Sequence, residues 1–442
     1  MESLSSTLQD TLNKLNIKAL NAMQTAALEG FNSASDLVLL SPTGSGKTLA
    51  FLLPLVPQLM AAGFNTKAMV VVPSRELAMQ IESVVKSLGL GFKVTCCYGG
   101  HKREIEENNL LQPPALLIGT PGRLADHLRR GSIQFPAIET LVLDEFDKSL
   151  ELGFLEEMSY ILSMLTSIKK RILTSATNLE VIPDFVGLQA PLRLDFLADK
   201  ANTEAGLAIQ VLHCHSTEKF ESLFRLICML GNRSAIVFCN HRDTVERTSE
   251  QLKAHDIVNV FYHGAMEQRD RDAALCKFRN GTANVLVTTD LASRGLDIAN
   301  IRYIIHYHLP ATEAIFTHRN GRTARMDASG TAILMVGTGE YLPPYLAGTV
   351  EEIVLPPETI VPEKPKWTTL FIAAGKKEKV NKIDIVGFFG NKGRLKKEDI
   401  GIIEVKDNFS FVGVKKAKVS ALLEAIKNEK IKNKKVLIAV AK

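Results

Sequence analysis

The sequence predicts an α/β protein: two doubly wound parallel-sheet domains in tandem, then a small C-terminal domain of β-α-β-β-α-β order. Three observations carry this. Short runs rich in Val, Ile and Leu alternate with helix-length segments, and the whole pattern occurs twice, each time over about 140–190 residues. A loop suited to cradling phosphates, Ser41-Pro-Thr-Gly-Ser-Gly-Lys-Thr48, joins the first such run to a helix-length segment. The final stretch of about 75 residues is strongly basic and follows a different element order.

The apolar runs place the strands. In the first half they are 37–40, 68–72, 94–98, 116–118, 140–143 and 171–174. In the second they are 209–213, 235–239, 258–262, 285–288, 303–306 and 332–336. They are apolar throughout rather than alternating, as expected of strands buried on both faces of a parallel sheet. A break falls near residues 199–206. After Gly339 the prolines Pro343, Pro344, Pro356, Pro357, Pro362 and Pro365 preclude a regular helix and read as a linker. Beyond it the spacing predicts strand 368–373, helix 383–389, strand 400–405, strand 409–414, helix 417–428 and strand 436–439. The expected domains are therefore 1–200, 206–345 and 367–442, with a linker at 346–366.

Composition narrows the function classes. The chain has 442 residues, of which 46% are hydrophobic and 23% charged, an ordinary globular balance. It has no run of 18 apolar residues, so no membrane span is expected. The N-terminal Met-Glu-Ser-Leu-Ser-Ser carries no secretory signature. Six cysteines show neither a Cys-x-x-Cys pair nor a metal spacing, and read as free thiols of a reducing cytoplasm. Residues 366–442 hold 19 Lys and Arg against 8 Asp and Glu, a net charge of +11, while the rest of the chain is −6. A basic terminal module points to a polyanionic partner.

The chemistry begins at the loop. Gly44 and Gly46 let backbone N–H groups approach phosphate oxygens, Lys47 neutralises them, and the Thr48 hydroxyl suits Mg²⁺. Asp144 ends the buried run 140–143, a position from which a carboxylate can hold Mg²⁺. Glu145 beside it can polarise an attacking water. Far downstream, His318-Arg-Asn-Gly-Arg-Thr-Ala-Arg325 supplies Arg322 and Arg325 as cations for the far side of the γ-phosphate. Two domains that close to complete one site would turn nucleotide turnover into motion.

Gln24, Ser41–Thr48, Pro73-Ser-Arg-Glu-Leu77, Gly99-Gly100, Thr120-Pro-Gly-Arg123, Asp144-Glu-Phe-Asp147, Ser175-Ala-Thr177, Gln268-Arg-Asp-Arg271, Thr289-Asp290 with Arg294-Gly-Leu-Asp297, and His318–Arg325 occur in the order found in DEAD-box RNA helicases. The resemblance covers residues 10–340 and implies two RecA-like domains that hydrolyse ATP with Mg²⁺. It implies that Gln24, Ser41, Pro42, Thr43, Gly44, Ser45, Gly46, Lys47, Thr48 and Asp297 bind the nucleotide. Thr48 and Asp144 hold the metal, Asp144 and Glu145 serve catalysis, and Arg322 and Arg325 are arginine fingers. Asp147, Ser175, Thr177 and His318 couple hydrolysis to closure. Arg75, Gly100, Thr120, Arg123 and Arg271 touch the RNA backbone, which makes binding indifferent to sequence. Phe146 stands where the family has alanine.

The third module resembles the C-terminal domain of DbpA-type helicases, of the RNA-recognition class. That implies 23S rRNA and pre-ribosomal large-subunit particles as partners, with Lys376, Lys377, Lys392 and Arg394 as phosphate contacts. Phe409 and Phe411 share one strand face and leave Val412 and Val414 for the core; base stacking and packing are both open to the two phenylalanines. The chain is thus expected to be a monomeric, cytoplasmic RNA helicase of ribosome assembly. The alternatives are an ATP-gated RNA clamp and a general RNA-remodelling protein acting on mRNA. Arg322→Lys keeps the charge but loses the planar fork. It should abolish most RNA-stimulated turnover in a steady-state ATPase assay while a nucleotide titration stays near wild type; full turnover would remove the finger assignment.

Overall fold

The computed structural model describes residues 12–13, 15, 17–133, 136–179, 181–197, 207–290, 301–321, 323, 330–346, 350–432 and 434–441. These fall into two compact units, divided near residue 206.

In the first unit the strands are β1 (Asp36–Leu40), β2 (Ala68–Val71), β3 (Val94–Cys97), β4 (Leu116–Gly119), β5 (Thr140–Leu143), β6 (Lys170–Ser175) and β7 (Leu192–Asp195). They form a parallel sheet of order β3-β4-β2-β5-β6-β1-β7. Its helices are α1 (Ala22–Ser33), α2 (Lys47–Met60), α3 (Arg75–Leu88), α4 (Arg103–Leu110), α5 (Pro121–Arg129), α6 (Phe146–Glu151) and α7 (Leu155–Met164). Alternate strand residues feed two separate cores. Val38, Leu40, Met69, Val71, Leu141 and Leu143 pack on one face, and Leu37, Ala68, Val70, Leu116, Val142 and Ile172 on the other. Each strand needs both sets, hence the unbroken apolar runs. The sequence reading missed β7. Its Leu192-Arg-Leu-Asp195 alternates and lies at the sheet edge, so only pairing with β1 reveals it.

The second unit opens with β8 (Leu207–Cys214), β9 (Ala235–Phe238), β10 (Asn259–Tyr262), β11 (Val285–Thr288), β12 (Tyr303–His306), β13 (Gly330–Gly337) and β14 (Glu351–Glu352). Their order, β10-β11-β9-β12-β13-β8-β14, repeats that of the first sheet position for position. The described helices here are α8 (Lys219–Leu230), α9 (Arg242–Ala254), α10 (Gln268–Arg279) and α11 (Glu313–Asn320). These are the two RecA-like domains the sequence predicts. The proline-rich stretch is no free tether. Residues 351–352 pair with β8, the Ile353 amide donates to Val211 O at 2.8 Å, and Ile353 and Leu355 pack on the domain core.

The same unit carries the third sheet: β15 (Trp367–Ile372), β16 (Ile400–Val405), β17 (Ser410–Lys415) and β18 (Ile438–Val440), antiparallel in the order β16-β17-β15-β18. Helices α12 (Lys382–Asn391) and α13 (Lys416–Ile426) cover one face over Leu370, Ile372, Val412 and Val414. The other face lies against α10. Phe411, 1% exposed, meets Ala273 and Cys276, with Phe371 and Phe409 beside it. The Arg269 guanidinium sits 4.5 Å from the centre of the Phe371 ring. Arg279 Nη1 donates to Glu404 Oε1 at 2.8 Å, and Lys406 Nζ to Asp272 Oδ1 at 3.1 Å. Burial alone would raise the Glu404 carboxyl, but the charges of Arg279 and Lys406 outweigh it and hold it below the usual range. Asn280 Oδ1 accepts from the Ile402 amide at 2.8 Å, and any Cβ on Gly413 would collide with that same oxygen. The two phenylalanines therefore pack against a helix of the neighbouring domain.

Phe146 is fully buried among Leu143, Met158 and Ile161 in the first unit's core. Phe146→Ala restores the family's residue but leaves a void that this core is not built to close. It should cost about 3–5 kcal/mol, read as a lower urea midpoint, with nucleotide affinity of the folded protein little changed. An unchanged midpoint would show that the core collapses around the smaller side chain.

Candidate nucleotide and RNA sites

A parallel sheet gathers its strand carboxyl ends on one edge, and ligands of such sheets bind there. The phosphate loop follows β1, Asp144 follows β5 and Ser175 ends β6; these are neighbouring strands in the order β5-β6-β1. Gly44 (φ 85°) and Gly46 (φ 93°) turn the loop through the left-handed region. Gly46 also needs to lack a Cβ, which would fall 2.5 Å from Gln24 Nε2. That glutamine belongs to a capping box with Asn21 at the start of α1. Gln24 Nε2 donates to Gly46 O at 3.3 Å and Asn21 Nδ2 to Ser45 O at 2.9 Å, so α1 leans on the loop. Lys47 Nζ donates to the carbonyls of Ser41 and Pro42 at 2.6 and 2.8 Å, a cation already held inside the loop. Thr43 and Ser45 complete the turn, and Thr48 is half-buried in the first turn of α2.

Asp144 is 3% exposed. Its Oδ1 accepts from the Thr174 hydroxyl and from the Glu145 amide, the latter at 3.1 Å. Burial raises its carboxyl above the ordinary value, against the pull of Thr174 and Lys47. Glu145 adopts φ 49° at the N-terminus of α6, a left-handed conformation uncommon for a non-glycine residue and frequent at functional sites. The Thr177 hydroxyl donates to Asp147 Oδ2 at 2.9 Å, and the Ser175 hydroxyl to Thr177 O at 2.7 Å. This ties the end of β6 to α6. The Thr48 hydroxyl and the Asp144 carboxylate are hard oxygen donors beside a phosphate loop, a set that fits Mg²⁺.

The remaining first-domain candidates gather at the other end of the same edge, after β2, β3 and β4. Arg75 opens α3, with its Nε 2.9 Å from Glu76 Oε1. Gly100 (φ 101°) abuts it, for a Cβ there would lie 2.5 Å from Arg75 Nη1. Thr120 precedes α5, and its amide donates to Cys97 O at 3.0 Å. Arg123 lies in α5 and donates from Nη1 to Glu106 Oε2 at 3.0 Å. Because β2 adjoins β5, the nucleotide and RNA candidates occupy one continuous edge.

In the second unit, Arg271 is 8% exposed on α10 and donates from Nη2 to Gln268 Oε1 at 2.8 Å. His318 is half-buried on α11. Asp297, Arg322 and Arg325 lie outside the described residues. The sequence reading passed over Arg319, which is fully buried. It grips the Asp290 carboxylate through Nε and Nη2 at 2.5 and 2.8 Å and reaches His308 O at 2.7 Å and Asn240 Oδ1 at 3.1 Å. Burial, aided by the Arg319 charge, pushes the adjacent His306 down to about 3. The adjacency of Arg319 to His318 was its only sequence signal. In the third module the basic candidates separate. Lys376 and Lys377 are exposed before α12, while Lys392 and Arg394 follow it. Lys392, Arg394 and Lys418 line a groove with Glu424 and Glu429.

The DEAD/DEAH box helicase family matches residues 21–184, the helicase conserved C-terminal domain 218–327 and the DbpA RNA binding domain 369–440. The ATP-dependent RNA helicase DbpA of Escherichia coli (strain K12) is 32% identical over 98% of this chain and 96% of its own length. The chain belongs to the DEAD-box ATP-dependent RNA helicases. Its three domains make it a DbpA-like member. DbpA of Bacillus subtilis (strain 168) is 29% identical over 93% of this helicase and 92% of its own length. Among solved structures, S. cerevisiae Dbp5 bound to RNA and ADP BeF3 is 26% identical, with a TM-score of 0.67 over 75% of this helicase and 87% of that chain. Mss116p bound to ssRNA and AMP-PNP is 25% identical, with a TM-score of 0.69 over 79% and 77%. The helicase binds ATP and RNA.

Proposed function

We propose that this helicase is a cytoplasmic, monomeric factor of large-subunit assembly. Its third module directs it to 23S rRNA within pre-ribosomal particles, where it unwinds short duplexes. The observation that carries the reading is the +11 charge of residues 366–442 on a module whose aromatic sheet face is covered by α10. Its basic groups, Lys376, Lys377, Lys392 and Arg394, remain exposed at the two ends of α12. Polyanion binding then runs through these ends rather than through stacking on the sheet.

In the core, Gln24 reads adenine and the amides of Thr43–Thr48 with Lys47 hold the phosphates. Thr48 and Asp144 would hold Mg²⁺, which supplies neutralising charge to those phosphates. Glu145 accepts the proton of the attacking water. Asp147, Ser175 and Thr177, bonded from α6 to β6, couple hydrolysis to closure. Arg75, Gly100, Thr120, Arg123 and Arg271 contact the RNA backbone, Asp297 the ribose, and Arg322 and Arg325 the γ-phosphate, with His318 coupling the last two to closure. The presence of Glu145 favours turnover over a clamp that only holds RNA.

Glu145→Gln preserves shape and removes the base. Turnover should fall by a factor on the order of 100 or more, with ATP and RNA still bound in filter-binding assays; near-normal hydrolysis would end the assignment. The address is tested by the ratio of affinities for a 23S rRNA hairpin and a scrambled hairpin of equal length. A ratio well above one is expected at moderate salt, with affinity for both falling as salt rises. A ratio near one would leave a basic tether and remove the ribosomal target.

A further inference from the structure

Beneath the RNA candidates of the first domain lies a buried cluster. Ligand atoms of Cys97, Glu106 and His127 lie within 4.8 Å of one another, a spacing that invites a metal. The cluster already contains its cation. Glu106, 1% exposed, accepts at Oε2 from Arg123 Nη1 at 3.0 Å and His127 Nε2 at 2.7 Å. Its Oε1 accepts from the Tyr98 amide at 2.8 Å and from His101 Nε2 at 2.9 Å. Four donors fill a carboxylate's acceptor sites. Burial meanwhile pushes the Cys97 thiol up, away from the thiolate a metal needs.

The donors come from two segments the sequence marks for RNA. Tyr98 and His101 flank the Gly99-Gly100 turn; Arg123 and His127 share one face of α5. Arg123 Nη2 also reaches His101 O at 3.3 Å, which joins the segments directly. An arginine has five N–H donors, so these two bonds leave three for a phosphate. Burial alone would raise the Glu106 carboxyl, but hydrogen bonds from His101, His127 and the Tyr98 amide and the Arg123 charge hold it at about 2. The anion is thus a permanent fixture. A long cationic side chain fixed in advance loses less freedom on binding.

We propose that Glu106 is the positioning residue of the first domain's RNA edge: its carboxylate locks Arg123 and the Gly99–His101 turn into one surface and touches no RNA itself. This rests on the reading of Arg123 and Gly100 as RNA contacts.

The test uses Glu106→Gln in the full chain, with circular dichroism and a urea melt to establish folding. An amide presents one oxygen and one NH₂, so it places a donor against one pair of donors. Affinity for single-stranded RNA should fall about tenfold, the scale of one charge-assisted contact. The slope of log K against log salt should become shallower by about 0.7, one phosphate fewer. Adding Glu106→Gln to Arg123→Ala should weaken RNA binding by less than the sum of the two single losses. A lower affinity with an unchanged slope would mark a merely structural role and overturn the proposal, as would independent losses in the double variant. If Arg123→Ala itself leaves RNA affinity intact, the underlying reading of Arg123 fails and takes the proposal with it. Should Glu106→Gln not fold, Glu106→Asp keeps the charge but shortens the reach, and the same change in slope is expected of it; its absence also overturns the proposal.

Discussion

Burying both faces of a parallel sheet leaves its ends for chemistry, and this constraint organises the first domain. Two separate cores, one on each side of β1, β2, β4, β5 and β6, consume the strand side chains. Polar groups that must meet a ligand are displaced to the loops at the carboxyl edge. Strand order then decides which loops are neighbours. β5, β6 and β1 bring together Asp144, Ser175 and the phosphate loop; β3, β4 and β2 bring together Gly100, Thr120 and Arg75. The two groups share an edge because β2 adjoins β5. An enzyme that couples nucleotide to nucleic acid needs that adjacency, and the sheet order provides it without long-range wiring.

Packing between the second RecA-like domain and the third module sets a different constraint. The sheet face that RNA-recognition modules commonly offer to bases is here an interior surface. Phe371, Phe409 and Phe411 pack tilted and edge-on against one another and against α10, framed by Arg279 to Glu404 and Lys406 to Asp272. The helix that receives the module also carries Arg271. Whatever the module binds is therefore held in fixed register with an RNA candidate of the core, and the proline-rich stretch lies along the domain surface as part of the same body.

Several buried charges among the described residues are held in pairs or networks. Glu106, Arg319 and the Glu404–Lys406 pair are each surrounded by opposite charge or hydrogen bonds, because an unpaired buried ion would cost more than the fold can offset. Glu106, Glu404 and Lys406 lie outside the sequence motifs, and Arg319 lies within the His318–Arg325 run without an assigned role there. Glu106 fixes Arg123, Arg319 fixes Asp290, and Glu404 and Lys406 tie the third module to Arg279 and Asp272 of α10.

The sequence by itself determined the parallel α/β class, the third module's element order and the phosphate loop with its acids. Strands buried on both faces must be apolar throughout, and backbone that turns around phosphate must contain glycines such as Gly44 and Gly46. Those are local requirements, so they leave local traces. Tertiary structure alone decided the rest. The edge strand β7 exists because β1 has a free side, and Phe411 is interior because α10 lies over it. Glu106 gave no signal at all, since an acid in Arg103-Glu-Ile-Glu-Glu107 looks like any solvated helix charge. Its role depends on Tyr98, His101, Arg123 and His127 converging on one carboxylate. Convergence of that kind is a property of the packed chain, set by the burial of α4 and α5 beside β3 and β4, and no window of sequence contains it.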